Sequence, residues 1–588
     1  MSLLLDRIPV EIFHIIFDYF WAHEILHSFN NISNYLNSIL SNYKHYLINF
    51  ESIRKSHFDV VCRSIRPEQL ITLILSDKIE TVNQSQLFQS LFSIEQFTHL
   101  RALKLIELDD DGGSFFSNLC KIPKLLSLQI NTNINVPLIK SLPSLETFII
   151  NIPSGIHFNI DSSISMIQFK QLRHLTLFNC SCRQLQKIFD QAIHLTSLKI
   201  SITFFDSDEL HAFINFHQEK TRLSSLISLN LFVNGGGKYI NHAKSYLPFV
   251  SFSGHKIMRS YVERFLAPLQ RLRRLELVIP SLAEHSFLDA GQWERFLSSH
   301  LSRLSTFNFI ISSWSSGTNI IDQYRRPFWL SRHWYVACDS SHSCLLTVPY
   351  FASTLIKNPS VPLSPNCTTL PIEQHHIFYD CVTDFTFDSD ECKLLSGYNY
   401  VKNLVLQCSY IEDNVVDLSQ VQSFIVSTPE WSLYKIITLI KEEMPAVNSL
   451  TLDYAYPRVS YQCLENISLK QVKKLCLPEY RNFEGIKPFD WSQLFPCVER
   501  LHISINSKSQ IKCLLNQFRN LISGYFYVGF GHQDRNKSIQ ITRSWLQKQI
   551  SCSKRKITKN FTYRIDNQFS FSLCLWIGED DEISENSY

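Results

Sequence analysis

Glycine is scarce, at 15 of 588 residues. So low a content leaves little provision for flexible linkers or for loops that wrap a phosphate closely. Charge of either sign is in no excess. Lys and Arg number 56 against 53 Asp and Glu, a formal net charge of +3. That removes the general electrostatic case for nucleic acid. No apolar run approaches the ~18 residues of a membrane span. Leu3 to Leu5 run straight into Asp6, Arg7 and Pro9, without the basic start or cleavage site of an export signal. The expected location is therefore cytoplasmic or nuclear, with the 16 cysteines as thiols. The sequon Asn366-Cys367-Thr368 is then incidental.

Catalytic signatures are also missing. There is no Gly-x-Ser-x-Gly elbow and no HExxH helix. Gly235-Gly236-Gly237-Lys238 lacks the spacing and the following Ser or Thr of a phosphate loop, and reads as a turn. His333, Cys338, His342, Cys344, His375, His376 and Cys381 are dense, but no paired Cys or His spacing of a zinc site occurs among them. Asp109-Asp110-Asp111 reads as a solvent-facing loop, and Lys554-Arg555-Lys556 with Lys559 as a solvated basic one. The expectation is no enzyme, no cofactor and no metal.

What the chain does have is apolar content, 45% with 43 Phe, arranged in a recurring template. It reads apolar, two polar or small residues, apolar, any, apolar. It occurs at Leu70/Leu73/Leu75, Leu100/Leu103/Leu105, Leu125/Leu128/Ile130, Leu145/Phe148/Ile150, Leu172/Leu175/Leu177, Leu195/Leu198/Ile200, Leu226/Leu229/Leu231, Leu272/Leu275/Leu277 and Leu304/Phe307/Phe309. It resumes at Val401/Leu404/Leu406, Val421/Phe424/Val426, Val447/Leu450/Leu452, Val472/Leu475/Leu477 and Val498/Leu501/Ile503. The template alone would arise by chance about 20 times in such a chain, so context carries the signal. Pro123, Pro143, Pro445 and Pro496 each stand two residues ahead of a unit, where a strand starts. Eight of the fourteen third positions are Ser or Thr. Each unit supplies one short strand that cannot bury its face alone, so neighbours must stack.

At the other end, residues 1–45 read as three helices. Pro9 suits a first helical turn, Glu11 the positive helix start, and Ile12, Ile15, Ile16, Tyr19 and Phe20 a helical stripe. A second helix is expected over 24–29 and a third from Ser33 to about Leu40. Below ~40 residues a domain needs outside support. The module therefore either caps the array or docks on another protein. Residues 41–69, with Tyr43, Tyr46, Leu47, Phe50 and Ile53, can supply the cap and free the stripe of Ile8, Pro9, Ile12 and Ile16 for a partner.

Leu5, Ile8-Pro9, Glu11-Ile12, Ile15-Ile16-Phe17, Glu24-Ile25-Leu26 and Phe29 resemble an F-box, and the template resembles a degenerate leucine-rich repeat. The F-box resemblance implies docking on the Skp-type adaptor of a cullin ubiquitin ligase through Leu5, Ile8, Pro9, Ile12, Ile16 and Leu26. The repeat resemblance implies an α/β solenoid of parallel strands. Its open face would carry the residue between the last two apolar positions: Lys104, Gln129, Thr176, Lys199, Asn230, Glu276, Asn308, Thr451 and His502. A target protein would bind there. The implied role is the substrate-recognition subunit of a Skp–cullin–F-box (SCF) ligase. The alternatives are a repeat scaffold unconnected to ubiquitin and an enzyme with its site in the 310–400 stretch.

The expected organisation is an F-box-like module (1–45), a helical cap (46–69), a first array (70–310), an irregular insertion (311–400), a second array (401–535) and a C-terminal helix, strand pair and acidic tail (536–588). The insertion, with Trp314, Arg325-Arg326-Pro327-Phe328-Trp329, Trp334-Tyr335 and Pro359 to Pro371, reads either as a contact surface or as cover for the join between arrays.

Overall fold

The structure is a computed structural model. It describes residues 5–108, 116, 118–131, 142–151, 171–180, 185, 188–189, 191–203, 225–234, 258–279, 283–312, 320–339, 344–348, 366–387, 397–411, 415–453, 464, 467–477, 490–505, 507–528, 541–552, 560–566 and 571–578. The fold is mixed α/β with large, mostly parallel sheets. Two compact units divide the chain. Met1–Phe97, Ile106–Asp109 and Thr383–Tyr588 form the first, Thr98–Leu105 and Asp110–Val382 the second.

The first unit begins with helices α1 (Val10–Phe17), α2 (Ala22–Phe29) and α3 (Asn34–Asn42). Their shared core is aromatic. Phe13 and Phe17 are buried, and Phe17 stacks 5.3 Å from both Phe29 and Tyr43. Strand β1 (Tyr46–Asn49), helix α4 (Lys55–Ser64), strand β2 (Leu70–Ser76) and helix α5 (Gln84–Leu91) follow, with β1 parallel to β2. The end of α3 is closed by a buried glutamine. Gln69 Nε2 donates to the carbonyls of Ser41 and Tyr43 at 2.9 and 2.8 Å, satisfying acceptors a helix end leaves open.

In the second unit the strands are β3 (Ala102–Ile106), β4 (Ser127–Asn131), β5 (Thr147–Asn151), β6 (His174–Cys180), β7 (Ser197–Thr203), β8 (Ser228–Asn234), β9 (Arg274–Ile279) and β10 (Thr306–Ser312). From β4 to β10 each strand pairs in parallel with the next. The sheet then ends in an antiparallel hairpin, β11 (Tyr335–Asp339) and β12 (Cys344–Val348), with β12 against β10.

The first unit resumes with β13 (Asp384–Phe387), β14 (Asn403–Leu406), β15 (Ser423–Val426), β16 (Ser449–Leu452), β17 (Lys474–Leu477), β18 (Arg500–Ser504) and β19 (Ser523–Tyr527), all parallel. An antiparallel pair, β20 (Phe561–Asp566) and β21 (Ser572–Ile577), closes that sheet.

All fourteen sequence units lie at these strands, and every apolar position named for them is buried. Register is fixed by a repeated device. From the Leu100 unit through the Leu272 unit, and from the Val401 unit through the Val472 unit, the carbonyl of the second residue accepts two backbone N–H bonds from the next unit. Arg173 O takes Thr196 N and Ser197 N at 2.9 Å each, and Gln422 O takes Asn448 N and Ser449 N at 2.9 and 3.1 Å. Such pairing needs a bend at the strand start, which the Pro and small polar residues there allow. Hydroxyls add to it: Thr196 Oγ1 donates to Arg173 O and Ser305 Oγ to Arg273 O.

Three further units follow the template and were not among the fourteen. Tyr43/Tyr46/Ile48 forms β1, Val382/Phe385/Phe387 forms β13, and Leu521/Gly524/Phe526 forms β19. At Gly524 a Cβ would stand 2.7 Å from the Phe526 ring, so glycine replaces the apolar residue for want of room.

The described residues of the insertion include the β11–β12 hairpin and short helices. Tyr324, Trp329 and Trp334 are buried. Trp329 lies 6.3 Å from Phe307 and Trp334 5.8 Å from Phe307, so these aromatics serve as core against β10 within the second unit. Trp314, Asn179 as a side chain, the acidic loop 109–111, the glycine turn 235–238, residues 359–365, the basic run 554–559 and the acidic tail lie outside the described residues.

Candidate functional site

Helix α1 is apolar on two sides. One side, Phe13 and Phe17, is core. The other carries part of the stripe read from sequence, and it faces solvent: Ile12 is 44% exposed and Ile15 55%, Ile16 is half-buried, and just past the helix end Tyr19 is 82% exposed, with Phe20 also exposed. Large apolar residues at helical spacing are seldom left open together, and such a patch marks a contact surface. The preceding turn is pinned. Ser33 Oγ donates to Asp6 Oδ1 at 2.6 Å and Tyr35 Oη to Ile8 O at 2.8 Å. Tyr43 Oη donates to Asp18 at 2.5 Å. Burial, then this bond, pushes the phenol far above its usual range and keeps it a donor.

Of the six expected adaptor residues, Pro9 and Ile12 are exposed, and Leu5, Ile8 and Ile16 half-buried. Leu26 is different. It is 4% exposed and faces inward on α2, so it holds the helices together and offers no surface. The exposed residues absent from that set are Val10, Ile15, Tyr19 and Phe20. For Ile15, Tyr19 and Phe20 the helical spacing in the sequence was the signal; Val10, two residues from Ile12, lies on another side of the helix.

The expected target residues fall into two groups. In the second unit, strand register sets Gln129, Ile149, Thr176, Lys199, Asn230, Glu276 and Asn308 directly side by side across β4 to β10. All seven are half-buried, with Lys104 on the neighbouring β3. Lys199 reaches over the Phe178 ring at 5.9 Å. Burial lowers its pKa against the opposing pull of Glu276.

In the first unit the same row reads Thr451, Cys476, His502, Tyr525. There the face is taken up by the chain itself. Lys474 Nζ binds Glu80 Oε1 at 2.7 Å, Ser52 Oγ donates to Glu80 Oε2 at 3.1 Å, and Arg500 Nη2 donates to Ser52 O at 2.7 Å. Arg54 binds Glu499 at 2.7 Å. Burial, with help from Lys474 and Arg500, brings His502 down to about 4, and its Nε2 is buried without a hydrogen-bond partner. For Glu80, burial raises the pKa, but Lys474, Arg500 and His502 outweigh it and the net shift is downward. His502 therefore belongs to an internal clasp, a correction to its expected place on an open face.

The clasp continues through the C-terminal pair. Trp576 Nε1 donates to Ile53 O at 3.1 Å, its ring meets Phe58 at 5.4 Å, and Lys55 Nζ lies 5.5 Å over it. Asn560 donates to Asp59 and Thr562 to Val82 O. Residues 46–69, expected as a helical cap, thus share a unit with the C-terminal strands, as does the chain up to Phe97.

Among the described residues no three His, Cys, Asp or Glu gather as a metal site. The apolar cavity lined by Phe50, Cys62, Phe88 and Phe97 holds about 10 Å³, room for one water at most. Burial there pushes the Cys62 thiol well up, which makes it unreactive. No described helix is long and apolar enough to cross a membrane. A scan against protein-family models and a search of curated proteins both return no match.

Proposed function

We propose that this chain is the substrate-recognition subunit of an SCF-type ubiquitin ligase. It docks on the Skp-type adaptor through α1 and the turn before it, and holds a target protein with its strand arrays, in the cytoplasm or nucleus. One observation carries the reading: the open apolar surface of Ile12 and Ile15 on a helix whose Phe13–Phe17 side is packed, continued by exposed Tyr19 and Phe20 just past the helix end. Burying each such side chain on a partner is worth about 1.5–3 kcal/mol. The F-box pattern quoted above names the partner class. No chemistry on this chain is required, because holding a target beside the transferring enzyme raises the effective concentration of its lysines.

The polar row of the second unit is the better place for a target, since the corresponding row of the first unit is engaged by Glu80 and Ser52. Co-expression with a Skp-type adaptor tests the reading. A stable one-to-one complex on gel filtration is expected. Failure of the wild-type chain to co-purify would leave the repeat scaffold unconnected to ubiquitin as the surviving reading.

A further inference from the structure

We infer that Cys338 and Cys367 form an oxidative modification site, a reversible cross-strand disulfide, independent of the ligase reading. Strand β11 is the last in the sheet order of the second unit, and an open strand edge invites pairing. Here Cys367–Thr369 covers it. Ala337 and Thr368 form an antiparallel bridge. Cys338 N donates to Cys367 O at 2.7 Å and Thr369 N to Val336 O at 2.8 Å. These bonds flank the bridge, so Cys338 and Cys367 are directly opposed at a hydrogen-bonded position, with side chains on one face.

At such positions Cα atoms stand about 5.5 Å apart, inside the ~4.4–6.8 Å range of disulfides. The Cβ atoms, at up to about 5.5 Å, must close by on the order of 1 Å. A bond that needs such closure is one that forms under oxidant and is readily reduced. Both residues are thiols and half-buried, within reach of a molecule as small as hydrogen peroxide. One thiolate attacks the peroxide O–O bond, giving a sulfenic acid and water. The second thiol displaces hydroxide from that sulfur, which leaves as water. Two thiols thus supply the two electrons that reduce one peroxide to two waters.

Side-chain bonds also hold the segment. Thr368 Oγ1 donates to Val336 O at 2.9 Å and Arg325 Nη2 to Thr368 O at 3.1 Å. The disulfide would fasten this edge cover. Cys344 provides an internal control, because β12 sets it opposite Asp339 and Cys338 opposite Leu345.

The test is peptide mapping of the full chain after hydrogen peroxide, with alkylation before denaturation. Expected is one linked peptide pair joining Cys338 to Cys367, lighter by its two lost hydrogens and released by dithiothreitol. Exchange of the Cys338 amide in the oxidised protein should slow by about tenfold or more. Cys338→Ser and Cys367→Ser should each abolish the link. The wild-type map stands alone if either variant misfolds. A link from Cys338 to Cys344, separate sulfinic acids on the two residues, or both thiols alkylated after excess diamide would overturn the inference.

Discussion

At the scale of single residues, α1 separates stability from binding. Phe17 is buried among Phe13, Phe29 and Tyr43, so Phe17→Ala should cost about 3–5 kcal/mol in a urea melt. Ile15→Ser, two residues earlier and about half a turn round on the open face, should stay within about 0.5 kcal/mol. Equal losses at the two positions would mean that the open face is packed. The sequence showed the helix and its stripe but assigned the stripe to a single side. With Phe13 and Phe17 interleaved among isoleucines, periodicity cannot say which of two apolar faces meets the protein and which meets solvent.

His502 gives the second residue-scale test. Its pKa of about 4 lies below the ordinary 6.5, so the unfolded chain binds the proton first. Stability should be intact above pH 6.5 and fall as pH drops from 6.5 to about 4. Discounted for partial exposure, the loss is on the order of 2 kcal/mol. Glu80, with its carboxyl held below the usual range, adds a loss that begins near pH 4.5 and deepens as the pH falls through its lowered value. His502→Gln should flatten the melting profile between pH 6.5 and 4 and leave the Glu80 loss in place. A profile unchanged by His502→Gln would show that the ring is not in the clasp.

At the scale of elements, the strands were largely legible and their partners were not. Alternation of buried and half-buried residues is written in the template, so β2 to β10 and β14 to β18 could be placed from sequence. β19 was hidden because Gly524 stands at an apolar position. The helix Arg543–Cys552 and the antiparallel β20–β21 pair were expected and are present. That this pair fastens to residues 53–83 was not legible, because contacts such as Trp576 to Ile53 span most of the chain and leave no periodic trace. Trp576→Ala should therefore cost about 3–5 kcal/mol and raise hydrogen exchange in α4, not only in β21. Exchange confined to β20 and β21 would contradict the clasp.

For the whole molecule, the division of the chain departs from the expected arrangement. The sequence suggested modules in series. The structure instead joins the first hundred residues to the last two hundred in one compact unit, with the middle as another. In the ligase reading, the docking helix and the C-terminal array then share one body, and target capture falls to the row from Gln129 to Asn308. Thr176→Asp combined with Asn308→Asp should leave the melting temperature within a few degrees and strip target proteins from the ligase complex in quantitative proteomics under ligase inhibition. Retention of the same targets would exclude that row.

The central claim is docking through α1, and titration calorimetry of the full chain against a Skp-type adaptor tests it most directly. The wild-type protein should bind. Ile12→Asp should weaken binding by at least about 100-fold, because an ionised carboxylate cannot be buried unpaired in an apolar contact. Ile193→Asp, a change at another exposed isoleucine, should leave the affinity unaltered. No heat from the wild-type chain, or equal binding by Ile12→Asp, would contradict the account.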